Sequence, residues 1–205
     1  TDDLREALKI LDERSAQFAS LGEDGNVDVQ ALRARVLGAL ASRGDARAAE
    51  ELKKNVSQSA SCDREDDSVR AEALGALGQM DMAAAMPVVR KVLQRRDECT
   101  VELRRRALYL LSRQPSAEAV GLILDVAKND TDSGIRGDAM RVLPRVAGDS
   151  AVPQLEELLR TSTDEQTQRS VINALGSIDS DRARRAIRTI IERNDAAERV
   201  RYDAI

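Results

Sequence analysis

Apolar positions recur along the chain in two interleaved registers, each with the spacing of a helix. In the first, Leu40, Leu77, Leu111, Leu143 and Leu175 follow one another at intervals of 37, 34, 32 and 32 residues. A period this regular marks an array of repeated units. Seven residues before each leucine stands Arg33, Arg70, Arg104 or Arg136, with Gln168 as the exception. Leu32, Val69, Leu103, Ile135 and Thr167 come just before, and pairs such as Ala73 with Leu74 or Val171 with Ile172 follow three and four residues after. The i, i+3, i+4, i+7 pattern is one apolar face of a helix.

The second register begins after a short polar turn, "RGD", "RQPS", "GDS" or "SIDS". Ala48, Ala85, Ala119, Ala151 and Ala183 open it. Leu52, Val89, Ile123, Leu155 and Ile187 follow four residues later, then Val56, Leu93, Ala127, Leu159 and Ile191. Each copy is therefore read as two helices, with the constant alanine where they approach most closely. Pro87 and Pro153 are placed near the start of second helices, where a missing N–H costs little. Pro144 falls inside a first helix and predicts a kink or an early stop. The copies are expected at about 29–61, 66–97, 100–130, 132–162 and 165–195. Arg201 opens a partial sixth at 197–205, whose Val200, Ala204 and Ile205 lack a covering second helix, so this edge is expected to be frayed or packed on another chain. Residues 1–21 read as one longer helix that caps the array, and "GEDGNVD" as a loop. A lone helix pair cannot bury its apolar stripe, so neighbouring copies must stack.

Composition strengthens the helical reading. Of 205 residues 42% are hydrophobic but only 1% aromatic, and a core of Ala, Leu, Val and Ile suits closely packed helices better than a sandwich of strands. Charged residues make up 33%, both signs interspersed, for a net charge of −4. This gives no general attraction for nucleic acid or anionic membrane, and no apolar run is long enough to span a bilayer. The absence of a starting Met and of a signal peptide suggests a piece of something longer.

The alternation of "SVRAEALGAL", "ELRRRALYLL" and "GIRGDAMRVL" with "AVPQLEELL" resembles HEAT repeats, in particular the short bacterial type also found in phycobilin lyases. The likeness covers roughly residues 29–205. It implies an all-α fold: a right-handed α-solenoid, or superhelix, of about five two-helix repeats plus the N-terminal helix, whose second helices line a concave, partner-binding face. It also implies that Arg33, Arg70, Arg104, Arg136 and Arg201 form a structural ladder with neighbouring acidic residues such as Asp130, a role that a fork of guanidinium donors suits.

Enzyme chemistry finds little to work with. Histidine is absent, which removes the usual general base, the Ser-His and Cys-His pairs and the commonest metal ligand, and with it the His-Glu iron sites of some HEAT-like enzymes. No phosphate-cradling glycine motif occurs. Neither a cofactor nor a metal site is expected. Nucleic-acid binding is disfavoured too, because the aromatic platforms that stack bases are missing.

Cys62 and Cys99 lie 37 residues apart, close to one period, each in the linker before a first helix. Stacked linkers lie roughly 8–10 Å apart, and the long "SQSASCDREDD" could lean across to the roughly 4.4–6.8 Å that a disulfide needs. One reading is a Cys62–Cys99 bond and an exported or periplasmic location. The other is two unrelated thiols in a cytosolic protein.

The expected function is that of a non-catalytic scaffold binding a protein or peptide along the second helices. A chromophore lyase or chaperone of the phycobilin-lyase type, and a purely architectural segment, are the alternatives. The two positions after each core residue of the second register are expected to face the groove: Lys53 with Lys54, Arg90 with Lys91, Leu124 with Asp125, Glu156 with Glu157, and Arg188 with Thr189. The first two pairs are wholly basic and the fourth wholly acidic. The pattern fits either a polarised partner groove or a plain solvated surface.

Overall fold

Three of the polar turns between the two apolar registers also cap the helix that follows. Asp45 of "RGD" accepts the backbone N–H groups of Arg47 and Ala48 at 3.1 and 3.2 Å, Ser116 of "RQPS" that of Ala119 at 3.0 Å, and Ser180 of "SIDS" that of Ala183 at 3.0 Å. These side chains satisfy donors that a helix leaves open at its first turn. The computed structural model describes residues 1–14, 17, 29–57, 62 and 64–192, the side chains of 64–66 excepted. Regular structure among the described residues is helical throughout.

The chain divides into two compact units, Thr1–Leu110 and Leu111–Ile205. The first holds α1 (Asp2–Glu13), α2 (Val29–Ala41), α3 (Ala46–Ser57), α4 (Arg64–Met80), α5 (Met82–Gln94), a 3-10 turn at Glu98–Thr100 and most of α6 (Val101–Ser112). In the second are α7 (Ala117–Asn129), α8 (Ser133–Ala147), a 3-10 turn at Gly148–Ala151, α9 (Val152–Thr161), α10 (Glu165–Gly176) and α11 (Asp181–Glu192).

Packing within each unit follows one scheme. A first helix lies against the second helix of its own copy, as α2 on α3, α4 on α5 and α10 on α11, and against the next first helix, as α2 on α4 and α8 on α10. A second helix touches the following first helix (α3 on α4, α7 on α8, α9 on α10) and the following second helix (α3 on α5, α9 on α11). Two layers result, with the core between them. The alanines that open the second register are all buried, as are Leu40, Leu77, Leu111, Leu143 and Leu175.

Several expectations need correcting. Helix α1 ends at Glu13, where the Arg14 N–H closes on the Ile10 carbonyl. The longer helix to residue 21 falls, from residue 15 on and Gln17 aside, outside the described residues. Pro144 does not stop α8, which continues to Ala147 and ends at Gly148, a glycine at φ 53° whose N–H bonds the Pro144 carbonyl. A proline this near the end removes a single bond of the helical ladder, and the left-handed glycine makes the stop. Pro153 lies in the first turn of α9, but Pro87 is inside α5. The cause is upstream: the turn that is 3-10 before α9 is already α-helical in α5. The buried stripe also drifts along the array. Leu158 is buried where Leu159 was expected, and in α11 Ile190 is buried while Ile187 is half-buried and Ile191 is 37% exposed. No described helix lies beyond α11. Leu32, at the opposite end, stays 39% exposed.

Candidate protein-binding faces

The second-helix layer holds the charged pairs. In the first unit, α3 presents Lys53 and Lys54, and α5, packed against it, presents Arg90 and Lys91. Lys53 is answered on its own helix, its Nζ lying 2.8 Å from Glu50. Lys54, Arg90 and Lys91 are exposed. The second unit carries Asp125, Glu156, Glu157 and Arg188, all exposed. Asp125 accepts the Asn129 amide at 2.7 Å. Glu157 takes two bonds from Arg160, at 2.6 and 2.9 Å, and that guanidinium, with the more distant charge of Lys128, holds its carboxyl below the usual range. Local pairing thus reduces the segregation of sign at Lys53 and Glu157. The exposed cations of α3 and α5 still lie on adjacent helices.

The repeated arginines face inward, toward the linkers. Arg104, fully buried, donates to the Asp97 carbonyl at 2.6 Å and to the Thr100 hydroxyl at 2.7 Å. Arg136 donates to the carbonyls of Asp130 and Thr131 at 3.0 and 3.3 Å. Gln168, the apparent exception, does the same through its amide, to the Ser162 carbonyl at 2.8 Å. In these copies the side chain pins the linker six or seven residues upstream to its own helix through a backbone carbonyl, that of Asp130 for Arg136 rather than its carboxylate, and Arg136 also lies 3.8 Å from the Asp164 carboxylate of the next copy. Arg33 instead holds two carboxylates, Asp12 and Glu51, each at 2.6 Å. Burial works against its charge, yet these bonds outweigh it and raise its pKa. Arg201 and the partial sixth copy lie outside the described residues.

Arg70 reaches across copies and belongs to a seam that the sequence did not announce. Its Nη2 donates to the Cys99 carbonyl at 2.7 Å and lies 3.6 Å from Asp67. Asp67 in turn accepts the Glu102 and Leu103 N–H groups at 2.7 and 3.1 Å, so α4 supplies the cap for α6. Both residues are 4% exposed. Burial pushes the Asp67 carboxyl above its usual pKa, against the pull of those two N–H groups and of Arg70. A Cys62–Cys99 disulfide closes the same seam, with Cα atoms 4.4 Å apart. An acid three residues before the arginine in "DDSVR" was the available signal, but nothing in it says that the acceptor bonds lie in the next copy.

Grooves open on the first-helix layer. One of about 330 Å³ between α4 and α6 is lined by Ser68, Glu72, Arg105, Arg106 and Tyr109 among others. Tyr109 is 48% exposed, and the Arg106 guanidinium sits 5.9 Å from its ring centre. Glu72 bridges Arg35 and Arg106 at 3.2 and 3.1 Å. A second groove, about 430 Å³, runs between α8 and α10. Among the described residues no group of His, Cys, Asp and Glu could hold a metal ion, and no helix is long and apolar enough to cross a membrane.

This two-layer stacking of helix pairs, with a polar side chain of each first helix pinning a linker or bridging carboxylates, defines a helical repeat protein. A family model described as HEAT repeats matches residues 60–143, 89–171 and 121–205, and the chain belongs to that family. Comparison with curated proteins gives no match. HEAT repeats commonly mediate protein–protein interaction, and the family is typically a non-enzymatic scaffold.

Proposed function

We propose that the protein is a non-catalytic scaffold that binds a protein or peptide on the face formed by its second helices. The reading includes the right-handed winding and the count of about five copies that the family resemblance implies. It also includes an oxidising compartment, where a Cys62–Cys99 bond persists.

The supporting observation is the exposed basic cluster of Lys54, Arg90 and Lys91 on two helices that pack side by side. Rigid helices hold these charges in fixed register, which favours steering and orientation of a partner more than raw affinity. Replacing Lys53, Lys54, Arg90 and Lys91 with Glu together should slow association of the native partner at least tenfold and flatten its salt dependence, with helicity by circular dichroism unchanged. Photo-crosslinkers at positions 54 and 91 should capture the partner.

The first-helix groove at Tyr109 supports a second reading, since half-exposed Tyr beside Arg is a frequent composition of binding hot spots. Capture from position 105 but not from 54 or 91, with an unaltered association rate in the quadruple variant, would move the site there.

A further inference from the structure

The last described second helix, α11, carries an arginine ridge that the fold does not use. Arg182, Arg185 and Arg188 stand three residues apart, all exposed. Among the described residues none of the three forms an ion pair. Arg184, on the flank, takes the local carboxylates instead, with Asp179 and Asp181 each at 2.8 Å. Asp181 also feels the charge of Arg185, but as a weaker effect than its bond to Arg184. Within "DRARRAIRTIIE" four arginines face two acids, in a chain whose net charge is −4. The ridge is thus a local reversal of sign.

Its cost is physical. Like charges one turn apart on a helix repel and destabilise it. Nothing on the core side requires them, because Ala183, Ala186 and Ile190 supply the buried stripe. At about 1.5 Å rise per residue the three guanidinium groups are spread over about 9 Å of helix. A partner helix with carboxylates at every third or fourth position presents acids at the same pitch, and each can accept a forked pair of guanidinium bonds.

We propose that the Arg182–Arg185–Arg188 ridge is the docking site for an acidic helical segment of a protein partner. The inference rests on the second-helix reading above and names the chemistry of one part of that face. A nucleic-acid strand fits less well, since α11 has no aromatic residue on which bases could stack.

The probe is a fluorescein-labelled helical peptide with Glu at every third or fourth position, followed by fluorescence anisotropy against the intact protein at low salt. Its Gln counterpart is the blank. Binding should weaken at least tenfold in the triple variant Arg182→Gln, Arg185→Gln, Arg188→Gln. A variant of equal charge change elsewhere, Lys9→Gln, Arg43→Gln, Arg47→Gln, should bind within twofold of the parent, and circular dichroism should find both variants equally helical. Equal weakening in the two variants reduces the effect to net charge and overturns the ridge, as does tighter binding of a single-stranded oligonucleotide than of the peptide. If the peptide binds through the ridge while crosslinkers at 54 and 91 capture nothing, the basic cluster on α3 and α5 is not the docking site and the ridge on α11 stands. If those crosslinkers capture the partner and the triple variant still binds the peptide normally, only the ridge fails.

Discussion

Gly38 and Gly137 occupy first helices and differ in what surrounds them. A Cβ on Gly38 would lie 2.5 Å from the Cβ of Ala76 on α4, whereas at Gly137 it would meet nothing within 4 Å. The first glycine sets how closely two copies approach, and the second only weakens its helix. Gly38→Ala should therefore destabilise by roughly 1–3 kcal/mol, the usual cost of overpacking. Gly137→Ala should stabilise by roughly 0.4–1 kcal/mol. Urea denaturation measures both, and effects of equal sign would contradict the packing. Asp67 offers a test in pH. Its carboxyl is pushed above the ordinary value of 3.8 by burial, so the folded state binds its proton more tightly than the unfolded chain. The stability this contributes is fully present below about pH 4 and is lost as pH rises through the higher folded value. The advantage of the parent over Asp67→Asn should thus shrink from pH 4 to pH 7, whatever fixed cost the amide carries. A widening advantage would mean that the two N–H groups and Arg70 outweigh burial.

At the scale of elements, the α4–α6 seam joins a shared cap, an inward arginine and a disulfide. Closing the 37-residue separation of Cys62 and Cys99 corresponds to about 4 kcal/mol of lost unfolded-chain entropy. Cys62→Ser together with Cys99→Ser should lower stability by up to that amount, and mass spectrometry of the unreduced protein should find the bond in the parent. Helix pairs and core leucines were legible in the sequence because a buried stripe must repeat every three or four residues. Helix ends were less so. Pro144 suggested a stop that Gly148 makes four residues later, since what ends a helix is the backbone beyond it. The acceptors of the arginines were hidden for a related reason: a carbonyl has no signature among side chains, so Asp130 looked like the partner through its carboxylate when Arg136 uses its backbone. As for the charged faces, residue type showed where cations cluster, but only the fold showed Glu50 on Lys53 and Arg160 on Glu157.

Across the whole molecule, stability in a repeat array is a sum of copies and of the interfaces between neighbours, so a local perturbation need not be felt everywhere. The disulfide and the Asp67–Arg70 seam both fall within Thr1–Leu110. Reduction removes a constraint from that unit alone. Hydrogen exchange reads opening segment by segment, and adding a thiol reductant should speed exchange in α4, α5 and α6 while α8, α9, α10 and α11 keep their protection. Restoring the bond by oxidation should restore slow exchange in the same helices. A uniform rise from residue 64 to residue 192 would instead mean that the copies open as one cooperative block, with the seam's energy shared along the array. The confined response is expected because the cap on α6, the Arg70 bond to Cys99 and the disulfide act on adjoining stretches of backbone, so loosening one loosens the others before it reaches α8.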